Sequence, residues 1–221
     1  FLLNTLHSIQ WMAQMSHQRE ISEFVQRLKK LLSYNLGKEG RQTTLRMELE
    51  IVKEYIALQQ MRYDFIIEMN IEDGSYLDQP TVRMLFQPLV ENAIRYGLGD
   101  DEKISIQVFE DVARHLAVVT ISDSGKGLNQ EEIDEINQPF DYDWGYWKNE
   151  NRGIGLRYVK AMLESFYDGQ TSLFVNSKKG FGTRITILLP VRKPEEKKEK
   201  DKEVTLEENK VGQTDESIDC R

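Results

Sequence analysis

Apolar residues recur three or four positions apart over the first third of the chain, which is the spacing of an amphipathic helix. A first run of this kind covers residues 2–32 and ends at the glycine-containing segment of residues 37–40. A second run covers residues 45–63, and Thr43 or Thr44 is available to cap its first turn. The two runs predict a helical hairpin.

The predicted hairpin, residues 1–64, carries apolar stripes that two helices alone cannot seal from water. A four-helix bundle made by two copies of the chain is the economical way to cover these stripes, so we expect a homodimer. In the alternative arrangement, the hairpin packs on the other domain of its own chain.

The periodicity changes after residue 64, where short apolar runs separated by turns replace the helical spacing. These runs predict strands at residues 65–71, 104–109, 116–121, 172–176 and 183–189. Helices are predicted at residues 81–96, with an interruption at Pro88, and at residues 154–166. The fold class is therefore α+β, and residues 65–191 are expected to form an α/β sandwich with a mixed sheet and helices on one face.

Charge and composition narrow the classes of function. The chain has 221 residues, with 29 Lys and Arg against 37 Asp and Glu, and a net charge of −8. This balance argues against a general nucleic-acid or membrane-surface binder, although an acidic protein can still bind a nucleotide locally. The single cysteine, Cys220, excludes an internal disulfide and a multi-cysteine metal site. Residues 192–221 form a mixed-charge tract that predicts a solvated, disordered tail.

Four short motifs occur in succession in the second domain: QPLVENAIRYGL at 87–98, DSGKG at 123–127, NRGIGL at 151–156 and GFGT at 180–183. Each motif alone is weak, because a glycine pair is usually only a turn. In this order, they resemble the Bergerat-type ATP-binding fold shared by gyrase, Hsp90, histidine kinases and mismatch-repair ATPases. FLLNTLHSI at 1–9 and YIALQQMRYD at 55–64 resemble the LytS-like sensor histidine kinases more closely, and the resemblance extends to about residue 190.

Asp123 comes after the apolar run at residues 116–121, so its carboxylate is expected at a strand end, on the floor of a pocket. The resemblance implies that it accepts a hydrogen bond from the exocyclic amine of adenine. Guanine presents an acceptor there, and a buried acceptor facing another acceptor costs about 1–3 kcal/mol. Gly125 and Gly127 let the backbone bend and approach the ligand. The hydroxyl of Thr183, at the start of the last strand, is expected to support this contact.

Asn92 lies on the predicted helix that forms one wall of this pocket. Its amide oxygen is suited to bind Mg²⁺ together with phosphate oxygens and waters. Arg95 and Tyr96 share its helical face, and the resemblance implies that they contact phosphate. Glu91 points about 100° away from Asn92 around the helix. Pro88 occupies the position of the catalytic glutamate of gyrase-like ATPases, which tells against a self-contained ATPase.

Gly153 and Gly155 stand at the predicted start of a helix, where free backbone amides and the positive end of the helix dipole can meet a triphosphate. The segment between Leu128 and Arg152 is the predicted lid over ATP, and it contains the aromatic residues Tyr142, Trp144, Tyr146 and Trp147. The sequence does not decide whether these aromatics contact the nucleotide, contact the hairpin or only pack within the loop.

The resemblance implies the cytoplasmic kinase region of a two-component sensor histidine kinase, an integral membrane protein whose membrane spans lie outside this chain. The γ-phosphoryl group of Mg·ATP is expected to pass to a histidine and then to an aspartate of a response regulator. FLLNTL at 1–6 matches the residues directly after the acceptor in the family's Pro-His-Phe-Leu-x-Asn-Thr-Leu pattern. That histidine is therefore expected immediately before Phe1, outside the chain, so the chain alone is not expected to phosphorylate itself. His7 is expected to be a surface or packing residue.

Three other classes of protein remain as alternatives to a sensor histidine kinase. A gyrase- or Hsp90-like ATPase is disfavoured by Pro88 and by the N-terminal hairpin. A non-catalytic nucleotide-binding dimerisation module is disfavoured by the complete DSGKG and NRGIGL motifs. A serine kinase of the anti-sigma type shares the pocket motifs, but it does not explain FLLNTLHSI.

Overall fold

The structure, a computed structural model, describes residues 1–37, 42–99, 102–137 and 154–191. The predicted tail at 192–221 and the part of the predicted lid that holds its four aromatic residues lie outside these ranges. Residues 1–190 form one compact unit. Among the helices within the described ranges, none is both long and apolar enough to cross a membrane.

The N-terminal helical region contains a turn that the apolar spacing did not predict. The hairpin is formed by α1 (Leu2–Met15) and α2 (Arg19–Asn35), so the prediction of one helix over residues 2–32 is wrong. His17 adopts a left-handed conformation between them, with φ of 54°. Lys29 on α2 reaches back to the side chain of Gln10 on α1, at 2.9 Å. No glycine or proline marks this turn, which explains why the sequence pattern continues across it.

A third helix, α3 (Leu45–Gln60), comes after α2 and packs against it. Thr44 caps α3 as predicted, because its hydroxyl accepts the backbone N–H of Met47 at 3.2 Å. Glu54 on α3 accepts hydrogen bonds from Arg27 and Lys30 on α2, at 2.5 and 2.9 Å. The contact between α2 and α3 is thus partly ionic.

The start of α3 is also tied to the second domain. β1 (Thr43–Thr44) pairs antiparallel with β3 (Pro80–Thr81), and Arg46 binds Asp73 and Asp78 at 2.9 and 2.7 Å. α3 thus contacts both α2 and the second domain of its own chain. Contacts cross the boundary predicted at residue 64.

The described part of the second domain is built on a mixed sheet, as predicted. Its strands are β2 (Ile66–Ile71), β4 (Lys103–Asp111), β5 (Leu116–Asp123), β6 (Ser172–Ser177) and β7 (Thr183–Pro190). They lie in the order β2-β4-β5-β7-β6, with β2 parallel to β4 and the other neighbours antiparallel. Every second residue of β4, β5 and β7 is buried, which is the pattern of a sheet covered on one face.

The helices of the second domain are α4 (Gln87–Tyr96), α5 (Gln130–Asn137) and α6 (Ile154–Phe166). The bounds of α6 confirm the prediction. Pro88 does not interrupt a helix, because it stands in the first turn of α4, where no backbone N–H is needed. The residues before Gln87, predicted as helix, form β3 and a turn. α5 was not predicted, although Asn129 and Glu132 bond each other's backbone N–H and so mark its start.

Candidate nucleotide-binding site

One cavity lies where α4 and α6 face the strands β5 and β7. It is open to solvent on one side, and about 940 Å³ of space, including that opening, is not filled by the described atoms. Five of the predicted site residues line it: Asn92, Tyr96, Asp123, Gly127 and Thr183. Most of the other lining side chains are apolar: Leu89, Ala93, Ile121, Leu128, Ile136, Leu156 and Ile185.

Asp123 is the last residue of β5, and its carboxylate lies at the cavity as predicted. Oδ1 accepts the backbone N–H of Gly125 and the backbone N–H of Thr183, both at 3.1 Å. Burial raises the pKa of Asp123, and these two amides oppose the shift. No hydrogen bond from a described residue reaches Oδ2. The second oxygen is thus available to accept a donor from a ligand.

Close packing of glycines holds this carboxylate in place. A Cβ on Gly97 would lie 2.4 Å from Cγ of Asp123, and a Cβ on Gly125 would lie 2.4 Å from Cα of Gly97. Gly182 has φ of +86°, and a Cβ there would lie 2.0 Å from the carbonyl oxygen of Asp123. Only glycine fits these close approaches. Gly97 was not predicted as a site residue, although it stands within the QPLVENAIRYGL motif.

Thr183 supports Asp123 in a different way from the one predicted. Its backbone N–H, rather than its hydroxyl, bonds the carboxylate. The hydroxyl lies 3.0 Å from Oγ of Ser177 on the neighbouring strand. The Ser177 hydroxyl donates to the carbonyl oxygen of Gly182 at 2.8 Å and accepts the N–H of Leu128, which fixes the turn between β6 and β7 against the start of the predicted lid.

The predicted residues of α4 separate into two groups. Asn92 and Tyr96 line the cavity, whereas Arg95 does not line the described cavity and is exposed. Burial and Glu91 raise the pKa of Tyr55 on α3 to about 12, while Arg95 lowers it. Glu91 and Arg95, both exposed, are thus near enough to Tyr55 to affect its pKa. The expectation that Arg95 and Tyr96 share the cavity face of Asn92 is correct only for Tyr96.

Asn92 was predicted to hold Mg²⁺, and its surroundings fit that ion. The described residues contain no cluster of His, Cys, Asp and Glu that could hold a metal by themselves. Mg²⁺ does not need such a cluster, because it is commonly bound by one or two protein oxygens, phosphate oxygens and waters. Asn92 lines the cavity, and its Nδ2 lies 3.4 Å from the place of a Cβ on Gly155. The amide is therefore next to the start of α6, where phosphate is expected.

The predicted phosphate cradle at the start of α6 is described in part. Gly155 stands in the first turn of α6, and Gly153 lies outside the described residues. Arg157, also in the first turn, lines the cavity and was not predicted. A cation at the N-terminal end of a helix opposes the helix dipole. This position is therefore a signal in the sequence that could have identified Arg157. Lys126, which was also missed, lines the cavity with its Nζ 5.3 Å from the ring centroid of Tyr96.

Comparisons with known proteins agree with this geometry. A family model described as "Histidine kinase-, DNA gyrase B-, and HSP90-like ATPase" matches residues 77–193, and a "Histidine kinase" model matches residues 1–66. The sensor protein kinase HptS of Staphylococcus aureus strain USA300 is 30% identical over 192 residues, which are 86% of this chain and 36% of that protein. HptS of strain bovine RF122 / ET3-1 matches equally well. The chain spans about a third of the length of these relatives.

Solved histidine kinases align with the chain at low identity. The histidine kinase domain of the blue-light activated histidine kinase from Erythrobacter litoralis EL346 aligns with a TM-score of 0.47 at 17% identity, over 86% of this chain and 95% of that chain. The mycobacterial sensor histidine kinase MprB aligns with a TM-score of 0.47 at 18% identity, over 69% and 97%. From the two family models, the chain belongs to the histidine kinases, with an ATPase domain of the histidine kinase, DNA gyrase B and HSP90 type.

Proposed function

We propose that this chain is the kinase region of a two-component sensor histidine kinase, which binds Mg·ATP and transfers the γ-phosphoryl group to a histidine for relay to a response-regulator aspartate. One observation carries the proposal. The half-buried carboxylate of Asp123 has one oxygen held by two backbone amides and the other without a donor from the described residues, and it faces a cavity whose wall carries Asn92.

This arrangement favours adenine as the base. The exocyclic amine of adenine can donate to the oxygen of Asp123 that lacks a protein donor, and the apolar lining can cover the faces of the ring. Guanine would place a carbonyl oxygen against the carboxylate, and leaving that acceptor unpaired costs about 1–3 kcal/mol. The preference for ATP over GTP is then between about fivefold and about a hundredfold.

The phosphates would extend toward α6. We propose that Asn92 holds Mg²⁺ and that the amides around Gly155, with Arg157 and Tyr96, bind the phosphate oxygens. When bound, Mg²⁺ neutralises part of the charge of the triphosphate. The transfer breaks the bond between the γ-phosphorus and the β–γ bridging oxygen and forms a bond to the imidazole nitrogen of the acceptor. In the register that the resemblance gives, this acceptor immediately precedes Phe1.

The helical region supports a dimer in the same proposal. Leu2, Ile9 and Met12 recur along one side of α1 and are 53%, 36% and 56% exposed. A second copy of the hairpin formed by α1 and α2 would cover this side in a four-helix bundle. The proposal therefore includes a homodimer, a response regulator as partner, and anchoring to a membrane through segments outside this chain.

A gyrase- or Hsp90-like ATPase is the second candidate, and the surroundings of Asn92 tell against it. Such an enzyme needs a carboxylate to activate water near the metal. Pro88 stands one turn before Asn92, and the place of a Cβ on Gly155 lies 3.4 Å from the Cβ of Pro88. Glu91, the nearest carboxylate in the sequence, does not line the described cavity.

Thermal unfolding with an unhydrolysable ATP analogue and Mg²⁺ tests the site. At a hundredfold excess over Kd, binding adds about 2.7 kcal/mol to the free energy of unfolding of the wild type. Asp123→Asn should lose most of this effect, the GTP analogue should give much less of it, and EDTA should reduce it. If the analogue stabilises Asp123→Asn as much as the wild type, Asp123 does not bind the nucleotide and the assignment of the cavity as the ATP site is refuted.

A chain extended upstream of Phe1 and incubated with γ-labelled ATP tests the transfer. Acid-labile label on a histidine supports the kinase. Acid-stable label on serine would instead support an anti-sigma type of kinase, and ATP hydrolysis without label would support the clamp-type ATPase.

A further inference from the structure

A fully buried carboxylate lies away from the cavity, where the end of α2, α3 and the start of α4 meet. Glu48 on α3 is 2% exposed, and beside it lie Tyr34 at the end of α2, 0% exposed, and Thr43, 3% exposed. Burial of a carboxylate is costly unless donors surround it. The proposed nucleotide site does not use this group, so its hydrogen bonds need another explanation.

Both oxygens of Glu48 are used by the protein. Oε1 accepts the hydroxyl of Tyr34 and the backbone N–H of Met84, the latter at 2.8 Å. Oε2 accepts the backbone N–H of Leu85 at 2.7 Å. The Tyr34 hydroxyl also bonds Thr43. Met84 has φ of 60°, a conformation that a residue other than glycine seldom adopts without support. Glu48 supplies this support directly before α4 begins.

Two further contacts join the end of α2 to the same segment. Arg83 donates from Nη1 to the carbonyl oxygen of Tyr34 at 2.7 Å, and its Cζ lies 4.4 Å from the centroid of the Tyr34 ring. Asn35 donates from Nδ2 to Oε1 of Gln87, the first residue of α4, at 3.3 Å. The last residues of α2 thus contact the segment 83–87 through both side-chain and backbone atoms.

We propose that Glu48 is a positioning residue for the nucleotide site: by holding the residues before α4 against Tyr34, it couples the position of Asn92 to the end of the helical hairpin. This inference rests on the proposed function. Asn92 lies six residues after Phe86, about 9 Å along a rigid helix, so a shift at the start of α4 reaches Asn92 undiminished. Because such coupling is reciprocal, nucleotide binding must also stabilise the end of α2.

A carboxylate is suited to this role because its geometry is demanding. Its two oxygens accept donors from α2 and from residues 84 and 85 together only when these elements lie in one arrangement. In Glu48→Gln, one of the two atoms becomes an amide nitrogen, which cannot accept a backbone N–H. Tyr34→Phe is milder, because it removes one hydroxyl and leaves the backbone contacts in place.

The test compares Tyr34→Phe and Glu48→Gln with a matched control, Tyr76→Phe. Tyr76 is 1% exposed, and its hydroxyl bonds the backbone carbonyls of Glu72 and Val108, away from α4. Two quantities are measured for each protein: the Kd of an unhydrolysable ATP analogue with Mg²⁺, and hydrogen exchange of the amides at residues 31–36 with and without that analogue. The free energy of unfolding is measured in parallel, so that general destabilisation is recognised.

We expect Tyr34→Phe to raise the Kd about twofold to tenfold and Glu48→Gln to raise it further, while Tyr76→Phe leaves it unchanged. In the wild type and in Tyr76→Phe, the analogue should slow exchange at residues 31–36, and in the two cluster variants it should not. If the wild type binds the analogue and Tyr34→Phe shows the same Kd and the same slowing of exchange, the coupling is refuted while the proposed function stands. If the wild type binds no analogue, the proposed function itself is refuted.

Discussion

The substitution Gly97→Ala tests whether the backbone around Asp123 is packed as closely as the structure has it. The new Cβ would lie 2.4 Å from Cγ and 2.6 Å from Cβ of Asp123, and 2.7 Å from the carbonyl oxygen of Ala93. Carbon atoms in contact lie about 3.5–4.0 Å apart. The Asp123 side chain or the end of α4 must therefore move by about 1 Å.

This overlap sets the expected loss of stability and of nucleotide affinity in Gly97→Ala. Gly97 has φ of −104°, a value that alanine adopts freely, so the cost comes from overlap and not from backbone strain. Overpacking of this kind costs about 1–3 kcal/mol of the free energy of unfolding. A carboxylate displaced by about 1 Å also loses its charged hydrogen bond to the ligand, which is about 1.5–3 kcal/mol, or tenfold to a hundredfold in Kd.

Urea unfolding and calorimetric titration with the Mg²⁺ complex of an unhydrolysable ATP analogue measure the two effects. Gly169→Ala is the matched control, because Gly169 has φ of +73° with no atom within 4 Å of the new Cβ and does not line the described cavity. It should cost about 1 kcal/mol of stability through backbone strain and leave the Kd unchanged. Wild-type affinity in Gly97→Ala would show that the carboxylate is not held by this packing, and the assignment of Asp123 would then be unsupported.

The remaining predictions concern the charges of the site. Because burial raises the folded-state pKa of Asp123, its contribution to stability is full below the unfolded value of about 3.9 and is lost as pH rises through the folded value. Asp123→Asn keeps an Oδ1 that accepts both amides, so its free energy of unfolding should rise relative to that of the wild type as the pH is raised above about 4. Urea unfolding that gives parallel pH curves for the two proteins would contradict this. Arg157→Ala should raise the Kd of ATP about tenfold and leave the Kd of adenosine nearly unchanged, because Arg157 lines the cavity where phosphate is expected. Arg95→Ala should raise the Kd of ATP less. If calorimetric titration instead shows the larger effect for Arg95→Ala, the phosphate contact belongs to Arg95.

The sheet and the last helix could be predicted because their signals are local. Each strand of the sheet contains a short apolar run bounded by turns, and α6 begins within the NRGIGL motif. The turn between α1 and α2 could not be predicted in this way, because Ser16, His17 and Gln18 include no glycine or proline and the apolar spacing continues past them. The surface against which α3 packs could not be predicted either. The apolar periodicity of α3 is the same whether the helix packs on a second copy or on its own chain.

The turns of the site could be predicted because their backbone conformations require glycine, and the glycines are visible in the sequence. Gly127 and Gly182 mark positions with positive φ, and DSGKG and GFGT contain them. The apolar lining is ordinary core sequence, and nothing local distinguishes Ile121 or Ile185 from other buried strand residues. Whether Arg95 lines the cavity depends on how α4 packs, which the helical spacing of α4 alone does not determine.

Asp123 and Glu48 show why hydrogen-bond accounting separates a binding carboxylate from a positioning one. Burial raises the pKa of both, so the direction of the shift does not distinguish them. Glu48 has donors on both oxygens, from α2 and from the segment that begins α4, and further donors would have no free oxygen to approach directly. Asp123 has both amides on one oxygen, and its other oxygen is left for a donor that the described residues do not supply. A ligand amine completes the hydrogen bonds of Asp123, whereas the folded chain itself completes those of Glu48, so a bound nucleotide adds a hydrogen bond to Asp123 and none to Glu48.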